Sequence, residues 1–210
     1  RWPEATIIGL DHSQEMLEKA AVEPSTIQWG EADAQNWQPD DPPDLIYSNA
    51  VLHWVAGHAS LFPQLLGLLK PGGCLAVQMP LSRNQSSHQL MQEVLENGGE
   101  DGSPLGSPEL CQETARKWVE DAEVYYDCLI GGTRNLDIWE TEYLQVLEGD
   151  DPVLEWVKGT GLRPVLNGLN DEEREVFLAE YCQRLRIASP RRDDGHTLYP
   201  FRRLFLVATV

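Results

Sequence analysis

The chain of 210 residues is long enough for one sizeable domain, with or without an inserted lobe. Apolar residues make up 41% of it, as in an ordinary folded protein, but 34 acidic against 16 basic residues give a formal net charge of −18. A surface this negative repels phosphate backbones and anionic lipid headgroups, which argues against nucleic-acid binding and against polybasic attachment to a membrane.

The sequence shows no signal that directs it to a membrane or to secretion. No stretch approaches the roughly 20 consecutive apolar residues of a membrane span, and the start carries no apolar signal-peptide core behind a basic end. The four cysteines are scattered and form no CxxC pair, which suits a reducing compartment. We therefore expect a cytoplasmic protein whose four cysteines have no functional role.

The first part of the chain alternates short apolar runs with amphipathic helical patterns. A β-branched run over residues 5–10 leads to Asp11 and to a helix capped by Ser13, and a weaker strand covers residues 26–29. Further strands are predicted over 44–49 and 74–79. Leucines at helical spacing lie between these two, and Pro71-Gly72-Gly73 ends their helix. This alternation is typical of a Rossmann-like α/β fold, with a mostly parallel sheet covered by helices on both faces.

After Pro80 the patterns become mainly helical. Helices are predicted over 84–97, 109–127, 152–158 and 171–187, a loop over 98–108, a strand over 136–147 and an apolar last strand over 204–208, returning as an antiparallel edge. The predicted organisation is a core over 1–83, a helical cap segment over 84–134, a returning strand over 135–147, a second cap segment over 148–200 and a final antiparallel core strand over 201–210.

Polar residues follow several predicted strands, at the carboxyl ends where open α/β sheets bind ligands. Asp11 can accept hydrogen bonds from both ribose hydroxyls of a nucleoside, and Asp33 from an adenine amino group. Ser48 and Asn49 offer small side chains beside a cofactor tail. The two aspartates also have structural explanations, since Asp11 suits a helix cap and Asp33 a solvated turn.

These segments, in this order, resemble the second half of a class I S-adenosylmethionine-dependent methyltransferase domain. The matching segments are Ile8-Gly9-Leu10-Asp11-His12-Ser13, Glu31-Ala32-Asp33-Ala34, Asp44-Leu45-Ile46-Tyr47-Ser48-Asn49-Ala50 with Leu52-His53-Trp54, and Leu69-Lys70-Pro71-Gly72-Gly73. The resemblance implies S-adenosylmethionine as cofactor and S-adenosylhomocysteine as product. It also implies cofactor-binding roles for Asp11, His12, Asp33, Ala34, Ser48 and Asn49.

The later segments narrow the resemblance to the trans-aconitate 2-methyltransferase family. They are Ala50–Val55, Val77-Gln78-Met79-Pro80, Trp139–Leu144, Val157–Pro164 and Tyr199–Phe205. This resemblance implies methyl esterification of one carboxylate of trans-aconitate, a small tricarboxylate.

The chain departs from the family pattern at its start. The family's first strand and Gly-rich loop are expected before residue 1, because Arg1-Trp2-Pro3 resembles the end of the following helix and no GxGxG occurs anywhere in the chain. A sheet without that strand leaves apolar neighbours unpaired. Self-association that supplies the strand is therefore one expectation.

Methyl transfer to a carboxylate needs no general base, since the acceptor is already an anion and the donor is already activated. Alignment of the reactants and exclusion of water are expected to carry catalysis, with no catalytic side chain and no metal. A guanidinium can bind a carboxylate through two N–H groups at once, so arginines suit a tricarboxylate, and Arg163, Arg202 and Arg203 are candidates. Since adjacent residues of a strand face opposite sides, at most one of Arg202 and Arg203 is expected to point into the pocket. Arg202 is the preferred choice, and a solvent-facing surface arginine explains it equally well.

Four more side chains are substrate-site candidates. They are His53, Trp54, Trp139 and Tyr143. Trp139 and Tyr143 share one face of their strand, and core packing explains them equally well. His53 is equally well explained as a packed helix residue.

Three other functions remain open at this point. The chain suits a methyltransferase for another small acceptor, a Rossmann-type module in which Asp11 holds an NAD ribose, or an inactive fragment that folds only with partners. The acidic turn at Asp33 and the cap segments argue against NAD.

Overall fold

The structure, a computed structural model, describes residues 3–22, 25–159 and 161–210. The interpretation of Arg1-Trp2-Pro3 as a helix end therefore concerns residues that, except for Pro3, lie outside the described part, as does Thr160. In chain order the elements are β1 (Ile8–Asp11), α1 (Gln14–Ala20), β2 (Gln28–Glu31), β3 (Leu45–Asn49), α2 (His58–Gly67), β4 (Cys74–Pro80), α3 (Ser86–Asn97), α4 (Pro108–Ala115), α5 (Ala122–Leu129), β5 (Asn135–Leu147), α6 (Pro152–Lys158), α7 (Arg163–Gly168), α8 (Asp171–Ala188) and β6 (Thr197–Thr209). None of these helices has the length and apolar character needed to cross a membrane.

The strands form two sheets. In the first, β1 and β2 pair in parallel, with Asp11 opposite Glu31. In the second, the strand order is β3-β4-β6-β5. Backbone bonds join Gly73 to Val210 and Leu81 to Arg202, so β6 runs antiparallel to β4. The last strand therefore lies inside the sheet, and the expectation that it forms the edge is wrong because β5 takes that place.

The chain divides into two compact units. The first contains residues up to 77 together with 123–137 and 206–210, and the second contains 78–122 and 138–205. In the first unit, α2 buries Phe62 and Leu65, which are 0% and 3% exposed. Alternate residues of β6 in this unit, Leu206 and Ala208, are fully buried. A strand with period-2 burial and a helix with period-3.6 burial thus share one apolar core.

The second unit has its own core, centred on α3 and α8. An Asn170–Glu173 capping box fixes the start of α8. Phe177 and Tyr181, one helical turn apart on α8, are both 0% exposed, and their burial stabilises the unit by about 1.5–3 kcal/mol each. The Tyr181 hydroxyl donates to the backbone oxygen of Ser87 at 2.9 Å. This unit is where most of the predicted helices lie.

Three boundaries differ from the sequence-based expectations. The helix predicted over 109–127 is two helices, α4 and α5, separated by residues 116–121. The glycines at 159 and 161 predict a turn around Arg163, but Arg163 begins the six-residue helix α7. Gly30 and Glu31, predicted to open the acidic turn over residues 30–34, belong to β2, so that turn begins two residues later, at Ala32. Apolar periodicity continues across these places, and only tertiary packing decides where each element stops.

Candidate functional site

Asp11 ends β1 and leads directly into α1. Its Oδ1 accepts a hydrogen bond from the Ser13 backbone N–H at 2.9 Å, while Ser13 Oγ caps α1 by accepting from Met16 N–H at 3.4 Å. The Asp11 side chain is 35% exposed, and His12, 84% exposed, lies 3.6 Å from its Oδ1. Since one backbone bond occupies only part of the capacity of a carboxylate, Asp11 keeps acceptor sites that face solvent.

The acidic turn lies beside Asp11 at the end of the paired strand. The Asp11 backbone oxygen accepts from Ala32 N–H at 3.0 Å, so the turn that carries Asp33 and Ala34 starts at this point. Asp33 is exposed, and its Oδ1 accepts from the Gln35 backbone N–H at 2.9 Å. The structure therefore brings Asp11, Asp33 and Ala34 to one end of the two-stranded sheet.

Gln35 ties this turn to the segment that follows β3. Its side-chain amide donates to the Ala56 backbone oxygen at 3.2 Å, and its own backbone oxygen accepts from the Gln64 amide at 2.9 Å. The first contact joins the turn after β2 to the loop before α2, and the second joins it to α2 itself.

The end of β3 carries Ser48 and Asn49, followed by Ala50. Ala50 has φ of 55°, a left-handed conformation that is uncommon outside glycine and that concentrates at functional sites. Ser48 Oγ is buried and has no hydrogen-bond partner in the described part of the chain. A buried polar atom of this kind is normally satisfied by a bound group or by water, so this strand end suits a polar ligand.

A buried pair anchors the turn that holds His53 and Trp54. These two residues lie in a short 3₁₀ turn over Leu52–Trp54, with ring centroids 4.6 Å apart and Trp54 51% exposed. The imidazole of His58 contacts the Leu52 oxygen through Nε2 at 2.9 Å and the Tyr125 hydroxyl through Nδ1 at 2.7 Å. Because a carbonyl only accepts, Nε2 carries the proton and the hydroxyl donates to Nδ1.

In the second unit, the aromatic candidates share one strand face. Trp139 stacks on Phe205, with ring centroids 5.1 Å apart and planes 8° from parallel. The Arg203 guanidinium lies 5.8 Å from the Tyr143 ring centroid, within cation–π range. Trp139 and Tyr143 remain 45% and 41% exposed. Together they present two half-open aromatic rings and one guanidinium.

Arg202 faces the other way. It pairs with Glu140 at 3.0 Å and lies 3.9 Å from Glu142, side chains at even positions of β5, whereas Trp139 and Tyr143 occupy odd ones. The prediction that joined Arg202 to Trp139 and Tyr143 in one site is therefore wrong, because strand alternation turns it to the opposite face. Arg163 is exposed at the start of α7, and no described contact joins it to these aromatics.

Three features of the candidate site have no decisive signal in the sequence. Alternation shows that Arg202 and Arg203 lie on opposite faces of their strand, but it does not show which of them shares a face with Trp139 and Tyr143 of β5. Gln78 is a buried strand residue, 6% exposed, whose Oε1 accepts from Arg203 Nη1 at 2.7 Å. The left-handed backbone of Ala50 has no signal in its residue type. Among the described residues, no three His, Cys, Asp or Glu side chains are grouped as a metal site requires.

Comparisons with known proteins identify the family of the chain. Residues 1–77 match the family model described as a methyltransferase domain. Over all 210 residues the chain is 46% identical to a trans-aconitate 2-methyltransferase of Pseudomonas aeruginosa PAO1 and covers 76% of that protein. A protein of the same name from Azoarcus sp. BH72 is 42% identical over 208 residues, which are 99% of this chain and 79% of that protein.

Solved structures agree on the fold. The YcgJ protein of Bacillus subtilis superposes with a TM-score of 0.54 at 12% identity, covering 97% of this chain and 82% of the other. A phosphoethanolamine N-methyltransferase of Haemonchus contortus, solved with S-adenosylhomocysteine, superposes with a TM-score of 0.50 at 14% identity. The match covers 97% of this chain and 43% of the other. Identities this low speak for the fold alone, and they confirm the Rossmann-like class I methyltransferase architecture, here with a mixed sheet. On the strength of its 46% identical relative, the chain belongs to the trans-aconitate 2-methyltransferase family.

Proposed function

We propose that the protein transfers a methyl group from S-adenosylmethionine to one carboxylate of trans-aconitate, with a methyl ester and S-adenosylhomocysteine as products. The observation that carries this proposal is the 46% identity, over the whole chain, to a protein named for that reaction. The cytoplasm is the proposed location for two reasons. The proposed substrate is a small soluble metabolite, and the scattered free thiols suit a reducing compartment.

The strand ends of the first unit fit a nucleoside cofactor. The spare acceptor sites of Asp11 would take the ribose hydroxyls, with His12 beside them, and Asp33 and Ala34 would contact the adenine. Ser48 Oγ, buried without a protein partner among the described residues, would be satisfied by the bound cofactor, and Asn49 would lie next to it. When bound, S-adenosylmethionine supplies an activated methyl group.

Catalysis would then depend on the alignment of the methyl donor with the acceptor carboxylate. A carboxylate is ionised at neutral pH, so no side chain has to remove a proton before the transfer. In the first unit, His53 and Trp54, held by the His58–Tyr125 pair, are the candidates for orienting the acceptor, and exclusion of water would complete the catalysis. In the second unit, Trp139, Tyr143 and an arginine are the candidate surface for the substrate.

Calorimetry and product analysis test the proposal. We expect the protein to bind S-adenosylhomocysteine and not NAD, and we expect Asp11→Asn to weaken cofactor binding roughly 10-fold or more, because a carboxylate is a stronger acceptor than an amide. Mass spectrometry should detect a singly methylated trans-aconitate. Binding of NAD in place of S-adenosylhomocysteine would contradict the methyltransferase assignment. Methylation of another small acid, with none of trans-aconitate, would contradict the substrate.

A further inference from the structure

We infer that Arg203, held in place by Gln78, binds a carboxylate of the acceptor. The inference rests on the proposed function and names the residue that anchors its substrate. It is carried by a buried amide, a guanidinium without an acidic partner and a half-open aromatic surface, all on one face of three neighbouring strands. These strands are β4, β6 and β5.

Gln78 fixes the guanidinium at the base of this face. Its side chain is 6% exposed, and its Oε1 accepts from Arg203 Nη1 at 2.7 Å. The Arg203 carbon Cζ also lies 4.9 Å from the centre of the Phe201 ring, and the Tyr143 ring flanks it on β5. An amide and two rings leave an arginine little freedom, so its remaining N–H groups point in a defined direction before any ligand arrives.

The charge of Arg203 is not compensated by the protein. No carboxylate lies within 4 Å of it in the described part of the chain, whereas Arg202 beside it pairs with Glu140 and approaches Glu142. In a chain of net charge −18, a half-buried guanidinium with no acidic neighbour is costly unless an anion shares its surroundings. Arg202 has the reverse environment, because its two glutamates would repel a tricarboxylate.

Gln78 supplies a second donor. Since Oε1 faces the guanidinium, the Nε2 of the same amide group points elsewhere, and it is buried with no hydrogen-bond partner among the described residues. Such a donor calls for an acceptor from outside the chain. A carboxylate has two oxygens, one for the guanidinium and one for the amide, so the pair of donors matches that group.

The aromatic rings suit the body of the proposed acceptor. Trp139 is stacked on Phe205 at one face, yet it remains 45% exposed. The double bond of trans-aconitate and the carbon atoms attached to it lie in one plane, and a flat apolar ring covers such a plane while the arginine holds one carboxylate. Trp139 and Tyr143 would therefore back the carbon chain, with the carboxylate bound at Arg203.

Steady-state kinetics on the full chain, with Arg202→Gln as matched control, test the inference. Arg203→Gln should raise KM for trans-aconitate roughly 10- to 150-fold and leave the dissociation constant of S-adenosylhomocysteine unchanged. Arg203→Lys should give an intermediate KM, because lysine keeps the charge and loses the fork. Arg202→Gln should stay within about twofold of wild type, since its exposed pairs contribute little.

Gln78→Glu separates binding from structure. Glutamate keeps the oxygen that accepts from Arg203, so a purely structural role predicts a normal KM, whereas loss of the Nε2 donor and the added negative charge predict a KM raised at least as much as in Arg203→Gln. The inference is overturned if Arg203→Gln or Gln78→Glu leaves KM within twofold, or if Arg202→Gln raises it equally. If wild type binds S-adenosylhomocysteine but neither binds nor methylates trans-aconitate, the proposed function fails and this inference fails with it.

Discussion

Replacing Tyr125 by phenylalanine removes one hydroxyl from a buried hydrogen bond that the first unit uses to hold His58. Tyr125 and His58 are 0% and 2% exposed, and the bond between them is 2.7 Å long. Removing one partner of a buried hydrogen bond costs about 1–3 kcal/mol, because the other partner stays desolvated. For a chain of this size, a loss of about 2 kcal/mol lowers Tm by roughly 4–8 °C.

The adjacent Tyr126 provides the control for this change. It is 51% exposed, so Tyr126→Phe should stay within about 0.5 kcal/mol of wild type. Urea unfolding followed by tryptophan fluorescence gives both free energies of unfolding. Equal stability of the Tyr125→Phe and Tyr126→Phe variants would refute the argument that the His58–Tyr125 bond fixes the turn over Leu52–Trp54.

Two further changes have expected outcomes. Gly73→Ala should destabilise by about 1–3 kcal/mol in urea unfolding, because its Cβ would meet the Lys70 oxygen at 2.8 Å, whereas Gly67→Ala, with nothing within 4 Å, should be neutral or stabilising; equal effects would contradict this. Burial lowers the pKa of His88 more than its backbone bond to Thr114 raises it, and Arg83 lowers it further. The unfolded chain thus takes up the proton first. The stability that neutral His88 confers is fully present above pH about 6.5 and is lost as the pH falls below it, so His88→Gln should lessen the loss of stability between pH 7 and 5; an unchanged slope would count against this.

Much of the fold is predictable from local pattern. The bounds of β4 and α6 lie within one residue of those predicted. The signals that predict such elements, which are apolar spacing and the glycines or prolines at the ends, lie within the element or directly beside it. The break between α4 and α5 is not predictable in this way. Residues 116–121 keep helical composition, and only contacts distant in sequence decide that the helix stops there.

The site residues divide by the same rule. The strand-end positions of Asp11 and Ser48 follow from the order of elements, so the sequence places them at sheet ends. The choice between Arg202 and Arg203 depends on which of the two points to the same face of the sheet as the odd-numbered residues of β5. That register comes from the pairing of two strands more than 50 residues apart in the chain, and alternation alone leaves it undecided.

The double contact of Gln35 makes two distant segments respond as one. Its amide donates to Ala56, and its carbonyl accepts from Gln64, so any ordering of the turn at Asp33 also orders the loop before α2. If the turn at Asp33 binds the adenine as proposed, binding of the cofactor should also slow backbone hydrogen exchange near Ala56, a segment that the cofactor itself is not proposed to contact.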